Sequence, residues 1–137
     1  MVDIDKFKTI NDRHGHPTGD AVLRAVAGSL ESTLRASDYV FRYGGDEMLF
    51  LLPETDHRQS IDKAESIGRR VRDQAVTAGK DTIRITLSIG VATYPDHGQD
   101  RRTLVEAADQ AVYQAKTEGR DRACLATPHC GLRQGGT

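Results

Sequence analysis

Two acidic clusters stand where this chain could do chemistry. The first is Asp3-Ile4-Asp5, with Lys6 and Lys8 just beyond it. The second is Asp46-Glu47, which follows Gly44-Gly45 directly and opens the apolar run Met48 to Leu52. A carboxylate beside an apolar sheet is costly unless a cation or good hydrogen bonds accompany it. Neighbouring strand residues point to opposite faces, so Asp46 and Glu47 cannot do the same job. If the opening strand pairs beside the strand that follows the two glycines, Asp3 and Asp46 converge. Two converging carboxylates with room for phosphate oxygens and water suit a magnesium ion. Spacing alone leaves a plainer reading equally open, in which Asp3 and Asp5 start a helix and Asp46-Glu47 decorates a hairpin.

The elements that must position these residues are legible in the periodicity. Residues 1–4 read as the end of a strand, and 6–12 as a short helical turn. Pro17 and Thr18 open a helix whose Val22, Val26, Leu30 and Leu34 form one buried stripe. Strands are expected over 38–43 and 46–52, joined at Gly44-Gly45, because a primed hairpin turn needs positive φ at both central positions. The second of them is apolar on both faces, which places it inside a sheet. A further amphipathic helix buries Ile61, Ala64, Ile67, Val71 and Ala75. The run TIRITLSIGVATY then alternates strictly, with Ile83, Ile85, Leu87, Ile89 and Val91 on one face, which predicts a single half-buried strand. A last helix over 101–118 buries Leu104, Ala108, Ala111, Val112 and Ala115, with Gly119 as its C-cap. Lys116 and Arg120, four apart at its end, are expected on one face; taken alone they read as solvated surface. A closing strand is expected over 122–125. The order strand-helix-helix-strand-strand-helix-strand-helix-strand predicts an α+β sandwich with an antiparallel-rich sheet.

The whole-chain properties narrow the function classes. At 137 residues, with 37% apolar and 28% charged residues and a net charge of −1, this is one domain's worth of globular chain. Nothing in that balance calls for nucleic acid or anionic lipid as partner, and no apolar run reaches membrane-spanning length. The cysteines, Cys124 and Cys130, give no disulfide framework, and with His129 they match no zinc spacing. A reducing cytoplasm is the expected setting. The tail 127–137, rich in glycine and without periodicity, is expected to be disordered.

Four segments together carry a resemblance. VDIDKFKTINDRHGHPTGDAVL, RYGGDEM, LSIGVA and ADQAVYQAKTEGRDR resemble, in order and spacing, the signatures of the GGDEF domain, the diguanylate cyclase family. The resemblance covers residues 1 to about 126 and implies the palm-like fold, of the ferredoxin-like nucleotidyl cyclase type, a mostly antiparallel sheet flanked by helices. It implies a reaction in which two GTP condense to cyclic di-GMP with release of two pyrophosphates. It also implies a site: magnesium, or manganese in its place, on Asp3, the Ile4 carbonyl, Asp46 and Glu47; phosphate contacts from Lys8, Lys116 and Arg120; guanine reading by Asn11 and Asp20; and Gly44 and Gly45 leaving room for the nucleotide. Joining two GTP implies a homodimer. Arg35 and Asp38 match the family's product-inhibition motif, RxxD, where cyclic di-GMP binds. Two other readings stay open: a non-catalytic module that holds GTP or cyclic di-GMP, and an inactive fragment. Three departures bear on these. Met48 stands where the family has Phe. Ser66 stands where tight product binders add an arginine. The chain also starts near the end of the first strand, without the family's preceding helix, so its stability and activity are in question and a membrane-tethered parent protein remains open.

Overall fold

The structure, a computed structural model, describes residues 1–128. The chain runs β1 (Val2–Ile4), α1 (Phe7–His14), α2 (His16–Glu31), β2 (Tyr39–Arg42), β3 (Glu47–Leu51), α3 (His57–Asp73), β4 (Ala75–Ala78), β5 (Asp81–Arg84), β6 (Leu87–Val91), α4 (Arg101–Thr117) and β7 (Arg122–Leu125). Five strands form one sheet in the order β2-β3-β1-β6-β7, and only the β6–β7 pairing is parallel. The short β1 is therefore the central strand. It pairs Asp3 with Glu47 on one side and with Ser88 on the other.

The core follows from side-chain alternation. Val2, Ile4, Met48, Leu87 and Ile89 pack against Val22, Val26 and Leu30 of α2 and Ala64, Ile67 and Val71 of α3. The opposite face belongs to α4, whose Ala108, Ala111, Val112 and Ala115 are all buried. Small residues let α4 lie close. A Cβ on Gly90 would stand 2.1 Å from the Ala108 carbonyl oxygen and 2.6 Å from the Val112 nitrogen, so β6 and α4 touch backbone to backbone. Capping boxes start α3 (Asp56 with Gln59) and α4 (Asp100 with Thr103).

Five local expectations are corrected. The run from Thr82 to Tyr94 is not one strand. It breaks at Ile85-Thr86 into β5, which pairs with β4 in a separate hairpin, and β6, which belongs to the main sheet. Nor is β6 half-buried, because α4 covers its second face and leaves Ser88 fully buried. Ala75 lies on exposed β4 rather than on the inner face of α3, and Leu34 falls beyond α2, which stops at Glu31. Finally, Gly44 and Gly45 are not left-handed. The β2–β3 connection spans 43–46 and is closed by Tyr43 and Gly44 N–H groups donating to the Glu47 carbonyl at 2.9 and 3.3 Å. The Arg42 guanidinium holds the loop from below through the Gly44 and Gly45 carbonyls at 3.3 and 2.9 Å. Residues 129–137, most of the expected disordered tail, lie outside the described residues, as do His129 and Cys130.

Candidate active site

The two acidic clusters do meet. The Ile4 N–H donates to the Asp46 carbonyl at 3.2 Å, which ties the end of β1 to the β2–β3 loop. Asp3 is 4% exposed in mid-sheet. Its Oδ2 accepts from the Lys116 ammonium on α4, while its Oδ1 is buried without a hydrogen-bond partner. Burial pushes the Asp3 carboxyl up to about 6; Lys116 opposes the rise and the neighbouring Asp46 carboxylate adds to it. For Lys116, burial favours loss of the proton, but the carboxylates of Asp3, Asp46 and Glu47 outweigh it and hold the ammonium above its usual range. The acid pair and the lysine therefore act electrostatically as one cluster.

Asp3, Glu47 and Lys116 line a solvent-open hollow of about 390 Å³ together with Asp109, Gln110, Val112 and Tyr113. Asp109, Gln110 and Tyr113 were not singled out from sequence, and Val112 was read only as a core residue of the last helix. Their signal was present, since 109, 113 and 116 recur at helical spacing on the face that carries Lys116. Gly45 faces open space, with nothing within 4 Å of a built Cβ, and at Gly44 a Cβ would only touch Glu47 at 3.5 Å. Space, and not backbone freedom, is what the two glycines provide.

The two acids of the opening cluster are separated in role. Asp5 accepts from Thr86 Oγ1 at 2.7 Å, Ser88 Oγ at 2.6 Å and the Asp121 N–H at 3.0 Å. It is a clasp joining β1, β6 and the turn before β7. Asp3, by contrast, keeps an unspent buried oxygen. Among the described residues no group of three His, Cys, Asp or Glu side chains is gathered closely enough to hold a metal ion. The donors instead fit a hard cation that takes part of its shell from elsewhere: Asp3 with its orphaned oxygen, the adjacent Asp46 and the backbone beside them.

Asn11 of α1 lies directly over Gly19 of α2, and its Oδ1 is buried without a partner. Asp20 follows on the exposed side of α2, and Lys8 is exposed on α1. Gly19 was missed from sequence; any larger residue there meets Asn11. Arg120 does not share a face with Lys116. Helix α4 ends at Thr117, and Arg120 sits in a turn with φ 63°, lining a different cavity. The helical-spacing argument fails because the helix stops first.

The Arg35–Asp38 pair forms a compact knot between α2 and β2. The Asp38 carboxylate, its side chain fully covered, accepts from the Arg35 N–H at 2.9 Å, from the Arg35 guanidinium and from Lys63 Nζ at 2.7 Å. Burial alone would raise its pKa, but these donors prevail and hold it at about 2. Arg35 also reaches Thr55 Oγ1 at 2.8 Å. Helix α3, which has Ser66 here, brings a cation to this knot one turn earlier, from Lys63.

A family model described as "Diguanylate cyclase, GGDEF domain" matches residues 1–122. The chain belongs to the GGDEF family. Diguanylate cyclase DosC of Escherichia coli is 44% identical over 126 residues, covering 91% of this chain and 27% of that protein. The response regulator PleD of Caulobacter vibrioides is 41% identical, covering 88% of this chain and 27% of that protein. The chain thus spans about a quarter of the length of these curated relatives. Among solved structures, the GGDEF domain of YfiN from Pseudomonas aeruginosa matches with a TM-score of 0.86 at 37% identity, covering 91% of this chain and 78% of that one. The GGDEF domain of DgcB from Caulobacter crescentus, solved with cyclic di-GMP, matches at 0.85 and 32%, covering 90% and 74%. The fold is therefore the α+β GGDEF fold, with its mixed central sheet flanked by four helices.

Proposed function

We propose that this domain is a diguanylate cyclase that condenses two GTP into cyclic di-GMP across a transient homodimer. The observation that carries the reading is the convergence of Asp3 and Asp46, with one Asp3 oxygen buried and unpartnered, beside a hollow of about 390 Å³ that Asp3, Glu47 and Lys116 line. Asp3, the Ile4 carbonyl and Asp46, with Glu47 beside them, would hold magnesium or manganese, which when bound neutralises phosphate charge and polarises the α-phosphorus. Lys116 lies against these acids and offers its ammonium to a bound phosphate chain. Lys8 and Arg120 would add further phosphate contacts.

Asn11 and Asp20 select the base. A carboxylate at Asp20 accepts from guanine N1–H and N2–H₂, a donor pair that adenine lacks, and the unpartnered Asn11 Oδ1 offers another acceptor beside it. Leaving these acceptors unmatched by adenine penalises ATP. In the chemical step, the 3′-oxygen of one GTP attacks the α-phosphorus of the other, pyrophosphate leaves, and Asp46 takes the hydroxyl proton. Each domain holds one GTP, so the two sites must face each other and turnover should rise with the square of protein concentration when dimers are scarce. The Arg35–Asp38–Lys63 knot is the proposed product site, where cyclic di-GMP restrains the domain.

The test is incubation of the purified chain with GTP and magnesium, with nucleotides separated by chromatography. Formation of cyclic di-GMP, lost in Asp46→Asn, supports the reading. GTP bound without product assigns a binding module instead, and neither, with an uncooperative melt, assigns an inactive fragment.

A further inference from the structure

The connection between β6 and α4 holds a buried histidine that the proposed reaction does not use. His97 is 2% exposed. Its ring Nδ1 accepts the Thr93 N–H at 2.8 Å and lies 3.1 Å from Thr93 Oγ1. The His97 N–H donates in return to the Thr93 carbonyl at 2.9 Å. Residues 93 and 97 thus close the loop twice, once through the main chain and once through the ring. A backbone N–H can only donate, so Nδ1 must offer a lone pair and the neutral ring carries its proton on Nε2. The loop then packs tightly on the first turn of α4, where a Cβ on Gly98 would stand 2.7 Å from the Leu104 nitrogen.

A second histidine lies against the first. The His57 ring, at the start of α3, stands 5.0 Å from the His97 ring between centroids, tilted by 37°. His57 Nε2 binds Asp96 Oδ2 at 2.5 Å, which ties α3 to the loop beside the buried ring. His57 from α3 and Asp96 from its own loop are the charged groups that bear on His97. Burial, reinforced by His57 and opposed by Asp96, holds the His97 imidazole below its ordinary value of 6.5. The segment that leads into α3 is also where Arg35 rests, through the Pro53 carbonyl at 3.4 Å and Thr55 Oγ1 at 2.8 Å.

We propose that Thr93, Asp96, His97 and His57 form an acid-sensitive latch between the β6–α4 loop and the start of α3. The closed latch needs a neutral His97, because a proton on Nδ1 removes the acceptor of the Thr93 N–H and sets a cation beside His57. When the latch opens, the ring reaches water and takes up one proton, and the loop parts from segment 53–57. The open ring titrates near 6.5 and the closed ring lower, so the open state binds more protons as pH falls. The latch therefore keeps its full stability above about pH 6.5 and loses it below. At pH 5 the closing equilibrium can fall by at most about thirtyfold, the limit for a ring that stays neutral while closed.

NMR on the whole chain tests the latch without reading turnover, so its outcome is separate from the cyclase assignment. The His97 ring should show the Nε2–H tautomer and a titration midpoint below 6.5. The protection factor of the Thr93 amide against hydrogen exchange should fall at least fivefold from pH 7 to pH 5. His97→Asn can place Oδ1 where Nδ1 lies and cannot take up the proton. It should keep Thr93 protected at pH 7 and lose the pH dependence. His57→Gln should raise the His97 midpoint. If His97→Asn fails to fold, the wild-type ring and amide measurements decide alone. A midpoint at or above 6.5, an Nδ1–H tautomer, Thr93 protection independent of pH, or an asparagine variant as acid-sensitive as wild type would overturn the proposal.

Discussion

Replacing Gly90 with Ala should cost this domain a large part of its stability, and the structure gives the reason. The added methyl carbon would stand 2.1 Å from the Ala108 carbonyl oxygen and 2.6 Å from the Val112 nitrogen. Carbon requires roughly 3.2–3.5 Å from such atoms at a close contact. Both obstacles are main-chain atoms of α4, so no side chain can rotate aside; the helix must move out by about 1 Å or more. Overpacking of this kind costs about 1–3 kcal/mol, and the double backbone clash argues for the upper end. At about 3–5 °C per kcal/mol for a chain of this size, the melting midpoint should fall by about 10 °C. Lys116 rides on α4, so its contact with Asp3 should loosen as well. Gly28→Ala is the control. It lies in α2, an added Cβ there has nothing within 4 Å, and the helix should gain about 0.5–1 kcal/mol. Urea unfolding of both variants checks the pair. A Gly90→Ala protein within about 1 kcal/mol of wild type, or a Gly28→Ala protein less stable than its parent, would refute the reasoning.

Other predictions follow from single contacts. Gly19→Ala places a Cβ 1.7 Å from Asn11 Oδ1, so Asn11 must swing away; the melting midpoint should change little while KM for GTP rises about tenfold or more and discrimination against ATP falls, measured by steady-state kinetics with both nucleotides. Asp38 has its folded pKa depressed from 3.8 to about 2, so its contribution is complete above about pH 4 and is lost as pH falls toward 2. Its size is at most about 2 kcal/mol. Asp38→Asn should lower stability at pH 7 and flatten the acid limb of an unfolding series between pH 4 and 2; an unchanged slope there would count against the ion pair. Arg35→Ala should relieve inhibition of turnover by added cyclic di-GMP, and inhibition identical to wild type would remove the product site from Arg35 and Asp38.

Periodicity predicted the large elements because α2, α3 and α4 each carry an uninterrupted apolar stripe, and the placement of β3 inside the sheet followed from its two apolar faces. It failed where a stripe ran past its element. Ala75 continues the spacing of α3 although the helix ends at Asp73, so β4 was absorbed into the helix. With β4 hidden, β5 lost its partner and merged with β6 into one alternating run. The Lys116–Arg120 error has the same origin, since four-residue spacing counts only while the helix continues. At the site, the meeting of Asp3 with Asp46 was conditional on a strand order that sequence could not supply, and the motif resemblance gave the roles. Asp5 was indistinguishable from Asp3 in sequence. Only tertiary structure shows that one is consumed by Thr86 and Ser88 while the other keeps a free oxygen.

Strand β1 has three residues, yet Asp3 pairs with residues 44 and 85 positions later, Glu47 and Ser88. Synthesis makes that segment before either partner. Until Glu47–Leu51 and then Leu87–Val91 have been made, β1 lacks its two sheet neighbours, and loop closure over such separations is slow. Asp3 is therefore set in place only after residues far behind it, Lys116 among them, have been made, so a chain cut short before α4 would hold the buried acid without the ammonium that opposes it.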